Sequence, residues 1–327
     1  MDETVGRRRF LKESGIAALS LAGVMRSNDS RAQSPVPNSS GTAAPRVKAP
    51  ANACDCHHHI YDPVRFPPPP RATNPIVPNA RVEDYRLLQN RLGTSRSIVV
   101  TPSAYLTDNR VTLDAIAQSG GQSRGVAVVA RDITDAELRT LDEGGIRGIR
   151  FSLASATAEM TTIDAATVET IEALSKRIEP LGWHVQFNVT AEQIVSAGSL
   201  WRRLPSTIVF DHMGHIPQPA GTAHQAFGIV RRLLDGGGTW VKLSVTYDSS
   251  KVGAPTYADV NAVGRSYVQA TPERLVWGSN WPHPNEAAKP DDAALLDLLG
   301  EWAPNEATRH RILVDNPATL YGFAKQG

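Results

Sequence analysis

The 327-residue sequence has little of what marks several protein classes. Two cysteines cannot supply the disulfide framework of a small secreted scaffold, and aromatic residues make up only 6% of the chain. The 34 Lys and Arg residues nearly balance the 33 Asp and Glu residues, so charge gives no reason to expect nucleic acid or an anionic membrane as a partner. No apolar run is long enough for stable membrane insertion. The remaining composition, 41% hydrophobic, is that of an ordinary globular protein.

The first 32 residues have the order of elements of an export signal. A basic stretch, Gly6–Lys12, precedes an apolar run from Gly15 to Met25, and the small residues before Gln33 suit cleavage. The Arg-Arg-x-Phe-Leu-Lys string resembles a twin-arginine signal, which predicts the twin-arginine export machinery as a partner and a periplasmic or secreted bacterial protein. An amphipathic surface helix is the alternative. Residues 33–50, rich in Ser, Pro and Ala, are predicted to be a flexible linker before a single domain spanning residues 51–327.

Eight β-rich apolar segments alternate with amphipathic helical segments in this domain. The alternation indicates parallel βαβ units, and eight of them favour an α/β fold of the (β/α)8 TIM-barrel type over an open sheet. The predicted strands are Ala53–Ile60, Ser97–Thr101, Gly125–Ala130, Ile146–Phe151, His184–Val189, Thr207–Phe210, Trp240–Leu243 and Leu275–Trp277. The predicted helices include Val82–Arg91, Thr112–Gln118, Asp135–Glu143, Ala165–Glu179, Ala191–Leu204, Ala223–Leu234 and Tyr257–Ala270. Because such barrels carry their chemistry at the carboxyl ends of the strands, polar residues at those ends are the candidate site.

The first strand ends in the richest polar cluster, Asp55–His59. Alternation of side chains along a strand predicts an inward set, Asp55, His57 and His59, and an outward set, Cys54, Cys56 and His58. Two inward histidines can ligate a metal or donate to a substrate oxygen; a polar layer of internally satisfied histidines is the alternative. The outward thiols are interpreted as small buried residues packed against helices, not as a redox pair.

Further candidates follow the later strands. His212 is the natural third imidazole, and Asp211 either orients it or acts in acid–base chemistry; alternatively Asp211 caps a turn beside an ordinary loop histidine. Arg150 and Lys242 are cations at the ends of apolar strands, and a buried cation needs either a substrate carboxylate or an internal ion pair. Asn280 projects where a reacting group would be useful, yet an amide cannot take a proton from water.

These motifs resemble the amidohydrolase superfamily, and more closely its amidohydrolase-related branch of lactonases and lactone isomerases. The resemblance runs from about residue 53 to residue 321 and rests on Asp55-x-His57-x-His59, Thr107–Ile116, Arg147–Phe151, Asp211–Gly214 and Trp277–Pro284. It implies a distorted (β/α)8 barrel acting on a lactone, ester or amide carbonyl. Many superfamily members bind a divalent metal through the first-strand histidines, here His57 and His59, but this branch is known for working without one.

By resemblance, His57, His59 and His212 polarise the carbonyl and stabilise its oxyanion, and Arg150 binds a carboxylate. In the lactonases an Asp general base stands where this chain has Asn280, and losing a positioned base costs roughly 10²–10⁴-fold in rate. The isomerase pattern avoids that base because a hydroxyl of the substrate attacks the carbonyl. The predicted substrate-binding residues are Arg150, Tyr105, Gln186, Lys242, Ser244, Tyr247 and His283, and the two tyrosines suggest a hydroxyl-rich ligand.

We therefore expect an enzyme without a cofactor that isomerises or hydrolyses a small-molecule lactone, with isomerisation of a polyhydroxy sugar-acid lactone slightly favoured. A metal-dependent hydrolase, with zinc held by His57 and His59 and with Asp211 or Asp248 as the base, is one alternative. A non-catalytic exported binder of sugar acids or aromatic acids is the other. His283 is either a site residue or a structural one.

Overall fold

The computed structural model describes residues 35–70, 77–154 and 161–324. The predicted export signal lies outside these residues. Within them, no helix combines the length and the apolar character needed to cross a bilayer.

Eight parallel strands form one sheet in chain order, and each neighbouring pair is hydrogen-bonded from β1 to β8. The strands are β1 Cys54–His58, β2 Arg96–Val100, β3 Ser123–Ala127, β4 Ile146–Ser152, β5 His184–Asn188, β6 Thr207–Phe210, β7 Thr239–Leu243 and β8 Leu275–Trp277. The helices are α1 Val82–Leu92, α2 Arg110–Ala117, α3 Asp135–Glu143, α4 Ala165–Ile178, α5 Ala191–Ser196, α6 Gln225–Asp235, α7 Thr246–Ser249, α8 Asn261–Ala270, α9 Asp292–Trp302, α10 Glu306–His310 and α11 Asn316–Tyr321. The predicted (β/α)8 barrel is confirmed. The predicted helix Ala191–Leu204 is too long, since α5 ends at Ser196 and turns around Gly198 follow it.

A bulge in β1 changes which of its side chains face the barrel interior. Asp55 pairs with Ser97 and His58 pairs with Val99, so three steps along β1 oppose two along β2. An extra residue of this kind re-aims the side chains around it. Simple alternation therefore fails within the motif.

The predicted facing of three β1 residues is wrong for this reason. Asp55 accepts a hydrogen bond from the hydroxyl of Tyr85 in α1, so it faces the helical layer. Cys54 and Cys56 belong to a buried cluster with residues of β2, β3, β6, β7 and β8, and residues of six strands can meet only inside the barrel. The outward position predicted for His58 is confirmed, because its ring stacks on Tyr85 at 3.6 Å.

Asp55 joins β8 to β1 where the sheet closes. Its carboxylate accepts from the Ser279 backbone N–H at 2.9 Å and from the Ser279 hydroxyl at 2.6 Å, and the Asn280 N–H donates to the His57 carbonyl at 2.7 Å. Gly278 permits this approach, since a Cβ there would lie 2.6 Å from the Cβ of His57. Asp55 thus links β1 to the segment that follows β8. This link places that segment directly against the β1 histidines.

Residues 35–50 pack against the barrel and are not the flexible linker predicted from their composition. The Trp281 indole donates to the Pro37 carbonyl at 2.7 Å, and the Arg91 guanidinium donates to the Ser40 carbonyl at 2.9 Å. The Val47 N–H donates to Asp297 at 2.8 Å. This N-terminal strap, residues 35–47, therefore supports the loop that follows β8.

Candidate active site

Three predicted histidines converge at the carboxyl ends of the strands. The Nε2 atoms of His57 and His59 lie 3.3 Å apart, and the ring centroids of His57 and His212 lie 4.8 Å apart. All three side chains are buried. We refer to His57, His59 and His212 as the imidazole cluster. Its geometry confirms the convergence expected from the motifs.

Beneath the cluster lies a carboxylate held by two cations. Asp211 Oδ2 accepts from Arg150 Nε at 2.9 Å and from Gln186 Nε2 at 3.0 Å. Lys242 Nζ donates to Gln186 Oε1 at 2.6 Å and lies 3.7 Å from Asp211 Oδ1. Arg150 therefore has an internal ion partner through Nε, and its two Nη atoms make no hydrogen bond to a residue that the structure describes.

Gln186 and Lys242 do not have the geometry of the substrate-binding residues predicted. Both are fully buried, and their polar atoms are used inside the barrel, where Lys242 also donates to the Cys56 carbonyl at 2.9 Å. They lie one layer below the strand ends. Their contacts reach Asp211 and His57 from below.

The charges of this layer shift its pKa values in opposite directions. Burial opposes ionisation of Asp211, but neighbouring His57 and the cations of Arg150 and Lys242 hold its pKa well below the usual value. Burial lowers the pKa of Lys242 to about 8, although Asp211 partly offsets this effect. At neutral pH the layer therefore contains one carboxylate facing two cations.

The imidazoles of the cluster are neutral at neutral pH. Burial, aided by the charge of Lys242, lowers the pKa of His57 well below its usual value, and burial with Arg150 lowers that of His59 to about 3. Burial likewise lowers the pKa of His212. A neutral imidazole has one N–H donor and one bare acceptor, so the hydrogen-bond partners decide which nitrogen can serve a substrate.

The hydrogen-bond partners assign the tautomer of His59. His59 Nδ1 lies 2.8 Å from the Val100 carbonyl, which can only accept, so Nδ1 carries the hydrogen and Nε2 is bare. His57 Nδ1 lies 3.3 Å from Lys242 Nζ, which can only donate, and also 3.3 Å from Asp211 Oδ1, which can only accept, so these two contacts favour opposite tautomers of His57. His59 presents an acceptor and does not act as the neutral carbonyl donor expected from the resemblance.

A strained turn presents His212 after β6. His212, Met213 and His215 all have positive φ angles, and the Gly214 N–H donates to the Asp211 carbonyl at 2.8 Å. Left-handed backbone at non-glycine residues is uncommon and concentrates at functional sites. The Ser244 hydroxyl lies 2.9 Å from His212 Nδ1 and orients the ring. Ser244 therefore positions His212, whereas Asp211 lies against His57 and not against His212.

His215 was missed in the sequence, although its position three residues after His212 was a usable signal. Its ring centroid lies 5.2 Å from that of His212. His215 Nε2 bonds to Asn188 Oδ1 at 2.8 Å, and Asn188 donates to Ser152 at 2.9 Å. Burial lowers the pKa of His215 to about 4. It extends the polar wall of the site beyond the imidazole cluster.

Asn280 begins a hydrogen-bonded chain on the other side of the cluster. Its Nδ2 donates to the Tyr247 hydroxyl at 2.7 Å, and that hydroxyl lies 2.9 Å from His283 Nδ1. His283 Nε2 in turn lies 3.1 Å from Asp292, at the first turn of α9. Both His283 and Asp292 are completely buried. Asp292 was missed because nothing in the sequence between residues 284 and 292 indicates the contact.

Tyr105 lies apart from this chain. Its hydroxyl accepts from the Asp62 N–H at 3.2 Å, and its ring contacts Tyr61, which in turn contacts His59 with centroids 6.4 Å apart. Tyr105 is fully buried. It supports the loop after β1 and remains only a predicted substrate-binding residue.

Three residues could offer ligands to a metal ion. One atom each of His57, Asp211 and His212 lies within 4.8 Å of the others. Asp211 is the only anion of the three, and the ammonium of Lys242 lies 3.7 Å from its Oδ1, the oxygen without a hydrogen-bond donor among the described residues. A divalent ion there would add two positive charges beside two buried cations that already outnumber the carboxylate. The donor set therefore fits a divalent metal poorly.

A groove lies elsewhere on the barrel. It has a volume of about 880 Å³ and is lined by Arg202, Arg232 and the first residues of β6 and β7. These residues mark the amino-terminal end of the strands, opposite the imidazole cluster. The groove is therefore separate from the candidate site.

The chain is similar to known enzymes along most of its length. It is 34% identical over 287 residues to the 2-pyrone-4,6-dicarboxylate hydrolase of Comamonas testosteroni, which covers 85% of this chain and 92% of the relative. It is 33% identical over 288 residues to the D-galactarolactone isomerase of Agrobacterium fabrum, which covers 86% and 94%. An apo crystal structure from Agrobacterium tumefaciens superposes with a TM-score of 0.78 at 30% identity and covers 88% of this chain and 99% of that one.

The family model for amidohydrolases matches residues 54–323, which span the barrel from β1 to the last residues that the structure describes. The match includes every strand end that contributes to the imidazole cluster and to the layer beneath it. The chain therefore belongs to the amidohydrolase family, as its strand-end motifs indicated.

Proposed function

We propose that this protein is a lactone-transforming enzyme that isomerises a polyhydroxy sugar-acid lactone. The observation that carries the proposal is the environment of residue 280. Asn280 offers an amide that donates to Tyr247, and Asp211, the carboxylate beneath the imidazole cluster, is already paired with Arg150. An attacking hydroxyl within the substrate is held in place by the ring it belongs to, so it depends less on a strong base than a free water does.

Carbonyl activation falls to the imidazole cluster. With its hydrogen on Nε2, His57 can donate to a substrate carbonyl oxygen in place of His59 Nε2, which lies 3.3 Å away, as negative charge develops on that oxygen, a contribution that is often the largest in acyl transfer. His212, oriented by Ser244 at 2.9 Å, supplies a second polar contact. The Nη atoms of Arg150 suit the carboxylate of a sugar acid, because a guanidinium pairs with a carboxylate through two parallel hydrogen bonds.

The relatives support a lactone as the substrate class. One is named for hydrolysis of a pyrone dicarboxylate and another for isomerisation of galactarolactone. Both names describe a cyclic ester bearing a carboxylate. The hydroxyl of Tyr247 and the amide of Asn280 favour the hydroxyl-rich ligand of the second type.

We also propose that the reaction proceeds without a metal. Lys242 and Arg150 already compensate Asp211, and Lys242 lies 3.3 Å from the ring nitrogen of His57. Elemental analysis of protein purified without chelator tests this point, with less than about 0.1 equivalent of any divalent metal expected. The proposal would be contradicted if the protein bound one equivalent of zinc, if a chelator removed both the zinc and the activity, and if added zinc restored the activity.

The proposal includes export by the twin-arginine route to the periplasm. Residues 1–32 carry the double arginine, the apolar run and the small residues on which it rests. Fractionation of bacteria expressing the full chain, with a variant in which Arg7 and Arg8 are both replaced by Lys as the control, tests it. The wild-type protein is expected in the periplasmic fraction and the control in the cytoplasm.

Turnover of aldaric-acid lactones in H₂¹⁸O tests the reaction type. Isomerisation transfers the acyl group between two oxygens of the substrate, so the product gains no ¹⁸O and no acid is released. Hydrolysis places one ¹⁸O in the new carboxylate and releases one proton per turnover. Incorporation of ¹⁸O in most turnovers would refute isomerisation, and binding without turnover of any lactone would favour the non-catalytic alternative.

A further inference from the structure

We infer that Tyr247, His283 and Asp292 form a proton relay that serves as the acid–base group of this active site, in the place of the carboxylate missing at position 280. The inference rests on the proposed action on a lactone and identifies the residues that move the proton. Tyr247 is the catalytic residue that touches the substrate. His283 and Asp292 are positioning residues that act through it.

The three side chains form a continuous hydrogen-bonded line. Asp292 Oδ1 lies 3.1 Å from His283 Nε2, and His283 Nδ1 lies 2.9 Å from the Tyr247 hydroxyl. The His283–Asp292 pair is completely buried, whereas Tyr247 is only partly buried. The line therefore runs from a water-excluded carboxylate to a hydroxyl at the edge of the site.

A tight turn brings the line to the imidazole cluster. The His283 N–H donates to the Asn280 carbonyl at 2.9 Å, and both residues have positive φ angles, which is uncommon for non-glycine residues. The Asn280 N–H donates to the His57 carbonyl at 2.7 Å. The turn thus attaches the relay to the same backbone that carries the donor of the carbonyl oxygen.

The direction of each hydrogen bond follows from the carboxylate at its end. Asp292 lies in the first turn of α9, and its carboxylate offers only acceptor oxygens, so it accepts from His283 Nε2–H. The bare Nδ1 then accepts from the Tyr247 hydroxyl. The Tyr247 oxygen in turn accepts from Asn280 Nδ2–H. Every donor in the line meets an acceptor only when the hydrogen bonds run in these directions. A histidine held between a carboxylate and a hydroxyl is the arrangement that activates a hydroxyl in hydrolases.

This direction explains the amide at position 280. A carboxylate there has no N–H and would accept the single hydrogen of the Tyr247 hydroxyl, which would leave His283 Nδ1 without its donor. Asn280 donates instead, so the tyrosine hydrogen stays on the side of His283. The same N–H stabilises negative charge on the Tyr247 oxygen when that hydrogen moves.

The relay balances the isomerisation step. As the substrate hydroxyl attacks, its O–H bond breaks, its oxygen bonds to the carbonyl carbon, and the π pair of the carbonyl moves to the oxygen facing His57. The released proton passes to Tyr247 while the tyrosine hydrogen passes to His283 Nδ1. When the tetrahedral carbon expels the original ring oxygen, that oxygen takes a proton from Tyr247, which recovers one from His283. The same cycle serves an attacking water.

Tyr247→Phe tests the relay, because it removes the hydroxyl and retains the ring. We expect kcat for the summed isomerised and hydrolysed products to fall about 10²–10⁴-fold, the usual contribution of acid–base catalysis, with KM within about threefold of wild type. Counting both products keeps this test independent of the reaction type. Tyr321→Phe is the matched control, since its buried hydroxyl has no hydrogen-bond partner among the described residues, and it is expected to leave kcat unchanged.

Asp292→Asn tests the positioning of the proton. An amide can donate its N–H to His283 Nε2, which would move the histidine hydrogen to Nδ1. We therefore expect kcat to fall at least tenfold, with KM and the thermal midpoint near the wild-type values. Asp292→Glu is expected to recover part of the lost kcat. The relay is overturned if Tyr247→Phe retains more than a third of kcat, or if its defect lies in KM alone. It is also overturned if Asp292→Asn loses activity only in proportion to loss of folded protein, or if Asp248→Asn, and not Tyr247→Phe, abolishes turnover.

Discussion

Replacing Asp211 with Asn isolates the charge balance beneath the imidazole cluster. The wild-type carboxylate lies 2.9 Å from Arg150 Nε and 3.7 Å from Lys242 Nζ, and its side chain is fully buried. Removing one partner of a buried ionic group typically costs about 3–5 kcal/mol, because charge is left without compensation. At roughly 2 °C per kcal/mol for a chain of this size, Asp211→Asn is expected to lower the thermal midpoint by about 6–10 °C.

The pH dependence of that loss has a defined sign. The pKa of Asp211 is lowered on folding, so its stabilisation is present above the unfolded value of 3.8 and is lost as pH falls through the folded value. The gap between Asp211→Asn and wild type should therefore be full at pH 7 and should shrink below about pH 4. Calorimetric midpoints measured from pH 3 to pH 8 give this gap directly.

A double mutant separates compensation from simple loss of packing. With Asp211 replaced by Asn, the ammonium of Lys242 is an uncompensated charge. Adding Lys242→Met should therefore lower the free energy of unfolding far less than it does in the wild-type background, with a coupling energy between the two sites of about 0.5–3 kcal/mol. Glu172→Gln breaks the exposed pair with Arg203 and, as a control, should change stability by at most about 1 kcal/mol. An Asp211→Asn loss no larger than that of Glu172→Gln, or strictly additive effects, would refute the reasoning.

Three further predictions follow from the same geometry. The value of kcat/KM is expected to fall as pH rises through about 8, because Lys242 loses its proton near its lowered pKa and the neutral amine no longer compensates Asp211. A kcat/KM profile that is flat to pH 9.5 would contradict this prediction. Asn280→Asp is expected to lower isomerisation at least tenfold and to raise the share of product carrying ¹⁸O from water, whereas an unchanged product ratio would count against the role given to the amide. A chain starting at residue 51 should melt several degrees below one starting at residue 33, because it lacks the strap contacts to Trp281 and Arg91, and equal midpoints would contradict it.

Most of the strands of the barrel could be predicted from the sequence because the patterns that indicate them are local. Apolar runs separated by amphipathic stretches placed all eight strands to within a few residues, and β6 and β8 to the residue. The convergence of His57, His59 and His212 followed from the rule that strand carboxyl ends meet at one face of a barrel. No rule based on spacing, however, reports how deep a side chain lies, so the sequence did not indicate that the polar atoms of Gln186 and Lys242 bond to Asp211, to each other and to the Cys56 carbonyl inside the barrel.

The errors arose where tertiary structure overrides a local pattern. Alternation placed Asp55 inward and the two cysteines outward, but a bulge shifts the pairing of β1 and reverses both. The composition of residues 35–50 is typical of a linker, yet contacts with Trp281 and Asp297 hold them in place. Asp292 was not identified because its contact with His283 depends on how α9 docks against the barrel.

A crystal structure with a non-reactive lactone analogue tests the central claim most directly. The account predicts the carbonyl oxygen about 2.7–3.1 Å from His57 Nε2, a ligand hydroxyl at the Tyr247 oxygen, the ligand carboxylate on Arg150, and no metal between ligand and protein. A carbonyl bound away from the imidazole cluster, or a metal ion bridging it to His57 and Asp211, would contradict it.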